Sequence, residues 1–169
     1  MALAAALLLC LVTAVSDGDT LHADCDGGEA LTVRVHAIDA PESGQPQGRN
    51  ARRLLARLAL HREVELRCVD RDRYGRAVCA VQVPPPEDPD AAPSMDAGEA
   101  MLEAGLAWWY RQYAEAQTAA AQRRYAAAEA RARRARVGLW KAANPTPPWQ
   151  WRREQREREL DTDRAEQAH

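Results

Sequence analysis

Apolar and polar residues alternate through most of the first half of the chain, the pattern of strands that bury one face. In residues 30–36, Leu31, Val33 and Val35 fall on one face, which leaves Arg34 and His36 on the other, away from the core and free to act. Turn-forming residues separate such stretches, and Asp17-Gly18 predicts a two-residue hairpin turn. The five predicted strands cover residues 12–15, 20–23, 30–36, 64–68 and 77–81.

Helical patterns interrupt this alternation. The three predicted helices cover residues 50–60, 94–105 and 113–137. In the first, Leu54, Leu55 and Leu58 recur at helical spacing with arginines between them. Residues 83–94 contain five prolines and are predicted to form a loop. The predicted order is five short strands, with one helix between the third and fourth strands and further helices at the end. This order predicts an α+β fold built on a five-stranded OB-type β-barrel.

The chain of 169 residues is long enough for one domain, which we place at residues 12–140. The charged tail at residues 141–169 is expected to be helical at most in part. The apolar segment at residues 1–11 is a truncated secretory signal or the start of the first strand, and it is too short for a membrane span. We therefore expect a secreted or periplasmic protein, with a cytoplasmic one as the alternative.

The net charge of −2 argues against a protein coated for indiscriminate binding to nucleic acid. Charge is nevertheless uneven along the chain. Residues 1–110 contain 10 basic and 17 acidic residues, whereas residues 111–140 contain 7 and 2. A broad phosphate-attracting surface is therefore expected on residues 111–140, and a cation-binding site in the acidic part.

Four short segments carry the candidate chemistry: Asp17-Gly18-Asp19-Thr20, then Arg34, then Asp39-Ala40-Pro41-Glu42, then Arg73-Tyr74-Gly75-Arg76. Each segment alone is typical of an ordinary turn, loop or exposed strand residue. Together they combine carboxylates that can bind a hard cation with guanidinium groups that can bind a phosphate. Metal-assisted hydrolysis of a phosphodiester requires both.

The acidic residues also indicate the kind of cation. Two carboxylates about 4 Å apart repel by about 4 kcal/mol at an effective dielectric constant near 20, so Asp19 and Asp39 brought together need a cation between them. The sequence has no Cys or His pair at metal-binding spacing. Oxygen ligands predict a hard cation, Ca²⁺ first and Mg²⁺ or Mn²⁺ second.

In this order and at these intervals the four segments resemble the staphylococcal-nuclease-like (thermonuclease) domain family. The resemblance extends through Gly105–Tyr110 and Gly138–Trp140, and so covers residues 12–140. It implies a nuclease that cleaves DNA and RNA, within strands and from their ends, and leaves 3′-phosphates. No protein partner is implied, and a monomer is expected.

The resemblance also implies a set of cation ligands. Asp19 and Asp39 would bind the cation through their side chains and Ala40 through its backbone carbonyl. The family more familiarly has Thr at the position of Ala40, but a carbonyl ligand does not depend on the side chain. Asp17 would lie behind these ligands and order water at the cation.

The same resemblance assigns roles at the scissile phosphate. Glu42 would be the general base or the residue that positions water, and the sequence leaves both roles open. Arg34 and Arg76 would clamp the phosphate as charge grows on its oxygens. Four residues would contact the rest of the substrate, Arg73 and Tyr74 at the next phosphate and Tyr110 and Tyr113 beneath a base.

Two other functions are open. OB-type barrels also occur as non-catalytic modules that bind nucleic acid, and a calcium-stabilised structural domain is a weaker alternative. A degenerate, non-catalytic member would be expected to lack some of the acids or arginines, whereas this chain keeps all five of Asp19, Arg34, Asp39, Glu42 and Arg76. The enzyme is therefore favoured. We assign no chemistry to residues 149–153, which are interpreted as a segment that docks against the barrel.

The four cysteines are predicted to be structural, because none lies in a Cys-x-x-Cys pair. In an exported protein they would form two disulfides. Cys10 and Cys25 lie at equal distances from the Asp17-Gly18 turn, and Cys68 and Cys79 at equal distances from Arg73-Tyr74. This favours these two pairs over the other connectivities, although a bulge, or pairing between the first and fourth strands instead, would change the partners.

Overall fold

The computed structural model describes the backbone of residues 7–167 and the surroundings of side chains up to Arg164. The strands of this part are β1 (Leu7–Val15), β2 (Thr20–Cys25), β3 (Glu29–Val35), β4 (Ile38–Asp39), β5 (Glu63–Arg71), β6 (Ala77–Val83), β7 (Met95–Asp96) and β8 (Trp108–Trp109). The helices are α1 (Gly48–Ala59), α2 (Ala97–Glu103), α3 (Ala119–Ala135) and α4 (Pro148–Gln167). Two 3₁₀ turns, at Arg111–Ala116 and Gly138–Lys141, flank α3.

Five strands close into a barrel in the order β3-β2-β1-β5-β6. Closure comes from a parallel pairing between β3 and β6, in which Val33 lies opposite Ala77 and Val35 opposite Cys79. The other pairs of the barrel are antiparallel. The predicted α+β fold on a five-stranded OB-type barrel is therefore confirmed, with α1 between the third and fourth barrel strands.

The barrel and the first two helices share one hydrophobic core. Leu21, Val33 and Leu66 point inward from three different strands and are fully buried. Leu55 of α1 and Leu102 of α2 belong to the same core and are also fully buried. Because burying a side chain of this size stabilises a fold by about 1.5–3 kcal/mol, the period-two pattern of the sequence is enough to direct the barrel strands to this core.

Two element boundaries differ from the prediction by about five residues or more. The first strand begins at Leu7 rather than at residue 12, because residues 7–11 pair with β5 and so satisfy their backbone groups. Residues 1–6 of the predicted signal segment lie outside the described residues. The predicted helix over residues 113–137 is also wrong at its start, since a 3₁₀ turn precedes α3 and Thr118 caps α3 by accepting a hydrogen bond from the Ala121 N–H at 3.2 Å. No helix within residues 7–167 is both long and apolar enough to cross a membrane.

The predicted two-residue turn at Asp17-Gly18 is also wrong. The Ser16 N–H donates to the Thr20 carbonyl at 3.0 Å, which closes a three-residue loop instead. This loop is one residue longer than a two-residue turn, and by itself it would shift the pairing of β1 with β2 by one residue. A bulge in β1 between Val12 and Ala14 cancels this shift. Beyond the bulge, the residues of β1 and β2 therefore pair as they would around a two-residue turn.

The second hairpin repeats this arrangement. The Asp72 N–H donates to the Arg76 carbonyl at 3.0 Å across a three-residue loop, and β5 has a bulge between Cys68 and Asp70. In both hairpins the bulge therefore compensates for the longer loop. This compensation decides which cysteines lie opposite each other.

Both predicted disulfides form. Cys10 bonds to Cys25 and Cys68 to Cys79, with Cα atoms 3.9 Å and 3.8 Å apart. Each bridge joins residues that lie directly opposite in their hairpin. The pairing is confirmed, although the turn geometry from which it was predicted is not.

We expect each disulfide to contribute about 2–4 kcal/mol to the free energy of unfolding, because each closes a loop that the unfolded chain would otherwise sample. The two bridges span 15 and 11 residues, so their contributions should be similar. The measurement is denaturant unfolding of the parent and of the double variants Cys10→Ala/Cys25→Ala and Cys68→Ala/Cys79→Ala. Non-reducing peptide mapping supplies the control, and four free thiols in protein from an oxidising compartment would contradict both bridges.

Candidate active site

Two acidic residues that are 20 positions apart in the chain meet at the mouth of the barrel. Asp19 lies in the loop between β1 and β2, and Asp39 ends β4. A Cβ at Gly18 would lie 2.6 Å from the Cβ atoms of both Ala40 and Ala51, so only glycine lets this loop pack so closely. The Ala40 N–H then donates to Asp19 Oδ2 at 2.7 Å, which joins the loop to the end of β4.

Arg34 lies between these two acids. Its Nη1 is 3.3 Å from Asp19 Oδ2, and its Nη2 donates to Asp39 Oδ1 at 3.1 Å. Nη1 also donates to the backbone carbonyls of Val35 and Ile38 at 3.0 Å and 2.8 Å. The expectation that Arg34 is free to act was therefore incomplete, because its side chain is only 14% exposed and is held in one orientation by these contacts.

Both acids are buried, with Asp19 7% and Asp39 1% exposed. Burial raises the pKa of each carboxyl group, against the opposite effect of the neighbouring guanidinium groups. Within the described residues, no three Asp, Glu, His or Cys side chains form a cluster that could by itself hold a metal ion. The donor set fits a hard divalent cation bound by two carboxylates, with backbone and water oxygens as the remaining ligands.

Two of the predicted ligand positions have structural roles of their own. Asp17 Oδ1 accepts the Asp19 N–H at 3.0 Å and so shapes the loop that presents Asp19. Ala40 has the N–H contact to Asp19, and its carbonyl as a cation ligand stays a prediction.

Glu42 is held next to the acids by a tight turn that leads into α1. Its N–H donates to Gln45 Oε1 at 3.1 Å, and its carbonyl accepts the Gln45 N–H at 2.9 Å. A Cβ at Gly48 would overlap the Glu42 carbonyl, so glycine is required where α1 begins. The Glu42 side chain is 39% exposed, so its carboxylate is partly open to solvent.

Arg76 reaches the acids through a chain of hydrogen bonds. Its Nη1 donates to Thr20 Oγ1 at 3.4 Å, and that hydroxyl donates to Asp19 Oδ1 at 3.3 Å. Its Nε donates to Asp72 Oδ2 at 2.7 Å. Burial opposes ionisation of Asp72, but the hydrogen bonds from Arg76 and from the Tyr74 N–H outweigh burial and lower its pKa. Asp72 is thus the carboxylate that aims Arg76.

This role of Asp72 was not predicted from the sequence. The position of Asp72 in the sequence could have indicated part of it, because aspartate at the first position of a turn commonly accepts hydrogen bonds from backbone N–H groups of the same turn. Asp72 Oδ1 does accept them, from Tyr74 at 2.9 Å and from Arg76 at 3.0 Å.

Arg73 and Tyr74 lie at the exposed tip of the same hairpin. Arg73 Nη2 donates to the Tyr74 hydroxyl at 2.7 Å. The guanidinium groups of Arg73 and Arg76 lie 4.9 Å and 5.4 Å from the centre of the Tyr74 ring. The structure therefore brings both predicted substrate contacts next to Arg76.

Tyr110 and Tyr113 lie on the opposite side of the acids. The Tyr110 N–H donates to the Ala37 carbonyl at 2.8 Å, and the two tyrosine rings meet edge to face at 4.9 Å. Burial raises the pKa of the Tyr110 hydroxyl, and the negative charge of Asp39 adds to this effect. The predicted aromatic wall is thus adjacent to the acids, while its role under a base stays a prediction.

Arg152 is the residue at this site that sequence reasoning missed. Its Nη1 and Nη2 donate to the two carboxylate oxygens of Asp39 at 3.2 Å and 2.8 Å, and Nη1 also donates to Glu42 Oε1 at 2.7 Å. Burial favours the neutral form, but the hydrogen bonds to Asp39 and Glu42 outweigh it and raise the pKa of Arg152, which stays charged.

The interpretation of residues 149–153 as a docking segment is confirmed, because Trp149 stacks on Tyr110 and Arg152 binds Asp39 and Glu42. The expectation that this stretch is helical at most in part was wrong, since Pro148–Gln167 is one helix. That the docked residues reach the candidate site was not predicted. Pro148 at the first helical position was an available signal for the helix. The contact to Asp39 spans 113 residues, so no spacing within the sequence could predict it.

Two basic grooves lie outside this cluster. One, of about 530 Å³, runs between α1 and the end of β1 and is lined by Arg49, Arg52, Arg53 and His61. The other, of about 680 Å³, is lined by Arg133, Arg136, Trp140 and Lys141. Part of the arginine-rich segment is neutralised by ion pairs, Arg131 with Glu103 and Arg133 with Glu129. The phosphate-attracting surface on residues 111–140 stays a prediction.

Comparisons with known proteins agree with this geometry. The sequence model of the family described as Staphylococcal nuclease homologue matches residues 32–142. A protein of Shigella flexneri named Micrococcal nuclease is 38% identical over 142 residues, covering 84% of this chain and 79% of its own. An uncharacterized endonuclease of Haemophilus influenzae is 32% identical, covering 87% and 74%. A rice protein named Probable staphylococcal-like nuclease CAN1 is 33% identical over 73% of this chain and 33% of its own. The chain therefore belongs to the staphylococcal nuclease homologue family.

Proposed function

We propose that this nuclease uses Ca²⁺ to hydrolyse phosphodiester bonds of DNA and RNA, leaving 3′-phosphates. The observation that carries the proposal is the meeting of two buried carboxylates, Asp19 and Asp39, around Arg34, with Glu42 and Arg76 beside them. A Ca²⁺ site accepts backbone carbonyls and a flexible number of ligands, whereas Mg²⁺ demands a near-ideal octahedron. Two carboxylates next to the backbone of Ala40 suit Ca²⁺ better, and Mg²⁺ or Mn²⁺ is the alternative.

Asp19, Asp39 and the Ala40 carbonyl would hold the cation, and Asp17 would keep the loop in shape and order nearby water. When bound, the cation supplies positive charge that neutralises the acids and polarises the phosphate. Burial of both carboxylates makes this arrangement rigid, so little reorganisation is needed when the substrate binds.

Hydrolysis then depends on groups of the chain around the phosphorus. Glu42 would position the attacking water or take its proton, and its accessible carboxylate is compatible with both roles. Arg34 and Arg76 would donate hydrogen bonds to the phosphate oxygens as negative charge grows on them. The bond from phosphorus to the 5′-oxygen breaks, so the phosphate stays on the 3′ side.

The remaining predicted residues would position the substrate. Arg73 and Tyr74, next to Arg76, would contact the neighbouring phosphate. Tyr110 and Tyr113, across the acids, would stack with a base. We propose that the protein acts as a monomer. The two disulfides support a secreted or periplasmic location.

The proposal predicts cleavage of single- and double-stranded DNA and of RNA with Ca²⁺, weaker cleavage with Mg²⁺ and none in chelator. Products should accept extension by a polymerase only after treatment with a phosphatase, because a 3′-phosphate blocks extension. Gel analysis of labelled strands measures both results. Cleavage that persists in chelator would contradict the cation, and no cleavage with any cation would favour a non-catalytic binding module.

A further inference from the structure

Residues 146–152, which we call the C-terminal strap, lie across the candidate active site. The ring of Trp149 stacks on Tyr110 with centroids 5.3 Å apart and planes 4° from parallel. The carbonyl of Thr146 accepts a hydrogen bond from Gln45 Nε2 at 2.5 Å. The strap thus covers the aromatic wall and contacts the turn that positions the proposed general base.

The charged contact of the strap lies at the acids themselves. Arg152 donates hydrogen bonds to both carboxylate oxygens of Asp39 and to one carboxylate oxygen of Glu42. Asp39 Oδ1 is also bound by Arg34, so neither oxygen of this carboxylate lacks a cationic partner. A divalent cation on Asp39 would need at least one of these oxygens, and it would repel a guanidinium group held within about 4 Å.

We propose that the strap is an autoinhibitory lid, in which Arg152 stands in for the cation and Trp149 stands in for a nucleic-acid base. This inference rests on the proposed function, since it assigns the acids to a cation and Tyr110 to a base. In the closed state the strap excludes both. Binding of the cation and of the substrate strand displaces it.

The way α4 is attached suits such a displacement. From Arg156 to Arg164 every side chain is exposed, so this part of α4 has no part in docking. The Arg152 side chain is 37% exposed and that of Glu42 39%, so water and salt screen this ion pair, whereas the pair with the buried Asp39 is shielded on the Asp39 side. A divalent cation carries twice the charge of a guanidinium group and can compete for Asp39 effectively.

The first test measures Ca²⁺ binding by calorimetry, without nucleic acid, for the parent and for Arg152→Ala. If the strap is closed in about 90% of molecules, opening it should lower the apparent Kd for Ca²⁺ about tenfold. Arg153→Ala is the matched control, because it removes the same charge from the next, exposed residue of α4. It should leave the Kd close to that of the parent.

The second test measures binding of a short fluorescent single-stranded oligonucleotide in chelator, by anisotropy. Trp149→Ala should bind the oligonucleotide more tightly than the parent, because a base then gains access to Tyr110. Arg152→Ala should also bind it more tightly, although removal of a positive charge alone would weaken binding. Arg153→Ala should show only that weakening.

The two tests separate this proposal from the function on which it rests. If the parent binds Ca²⁺ and Arg152→Ala binds it no more tightly than Arg153→Ala, the lid is overturned and the proposed function stands. If neither the parent nor Arg152→Ala binds Ca²⁺, the proposed cation is wrong, and the oligonucleotide test decides the lid. Ca²⁺ binding by Arg152→Ala but not by the parent would support the lid. Weaker oligonucleotide binding by Arg152→Ala than by Arg153→Ala would overturn the lid and make Arg152 a substrate contact.

Discussion

Asp39→Ala should lower the rate of phosphodiester cleavage by about 10³ or more, because loss of the cation removes several kcal/mol of transition-state stabilisation. Asp19→Ala should have the same effect. Both variants should also lose the rise in melting temperature that Ca²⁺ gives the parent. For one site that rise corresponds to about 2.7 kcal/mol at a Ca²⁺ concentration of 100 times Kd. Cleavage assays and thermal unfolding with and without Ca²⁺ measure the two effects.

Substitution of either acid can lower the stability of the fold as well as remove the cation, so further variants are needed to separate the two effects. Asp39 and Asp19 are ion-paired with Arg34, which would be left among buried groups. Asp39→Asn keeps the shape of the side chain and serves as the second variant. Asp26→Asn, at an exposed turn position, is the control for removal of a carboxylate. A variant whose melting temperature still rises with Ca²⁺ as the parent's does would show that the cation binds elsewhere.

Glu42→Gln should lower turnover by about 10² to 10⁴, the usual range for loss of a general base, with little change in substrate affinity. Arg76→Ala should lower turnover by about 10² or more, because a charged donor is worth most when charge grows in the transition state. The measurement is turnover at saturating Ca²⁺. This condition matters for Glu42→Gln, since that change also removes one of the oxygens that hold Arg152.

Arg71→Ala is the matched control for Arg76→Ala. Arg71 lies on the same hairpin and is paired with the exposed Glu29 rather than with the acids. Its loss should leave turnover close to that of the parent. Asp72→Asn should reproduce part of the Arg76→Ala effect, because Asp72 aims the Arg76 side chain. Near-parental turnover in either Glu42→Gln or Arg76→Ala would show that the assigned role is wrong.

The barrel could be predicted because its signals are local. Alternation of apolar residues assigned Leu31, Val33 and Val35 to the core, and all three are buried. The strand boundaries could not be predicted as well, since the start of β1 depends on the pairing of Leu7 with Arg67 of β5, far along the chain. The disulfides were predicted from symmetry about each turn, and they were right only because a bulge offsets each longer loop.

Part of the candidate site was predictable for the same reason. The acids, Glu42 and the two arginines lie in short motifs whose order and intervals are visible in the chain. Their present roles still rest on contacts that the motifs do not show. Arg34 is one example. The alternating pattern of its strand predicts that the side chain points away from the core. It does not predict that the guanidinium group contacts two backbone carbonyls and two acids.

Local patterns in the sequence predicted the buried faces of the barrel strands, the positions of the two hairpins and the favoured cysteine pairs, and short motifs contained the candidate residues. Periodicity, turn chemistry and short motifs all act between residues that are near each other in the chain. Contacts between distant parts of the folded chain place Thr20 between Arg76 and Asp19, and Arg152 on Asp39 and Glu42. The Arg152 contact depends on how a separate helix docks against the finished barrel, and the packing that decides it does not exist until the chain has folded.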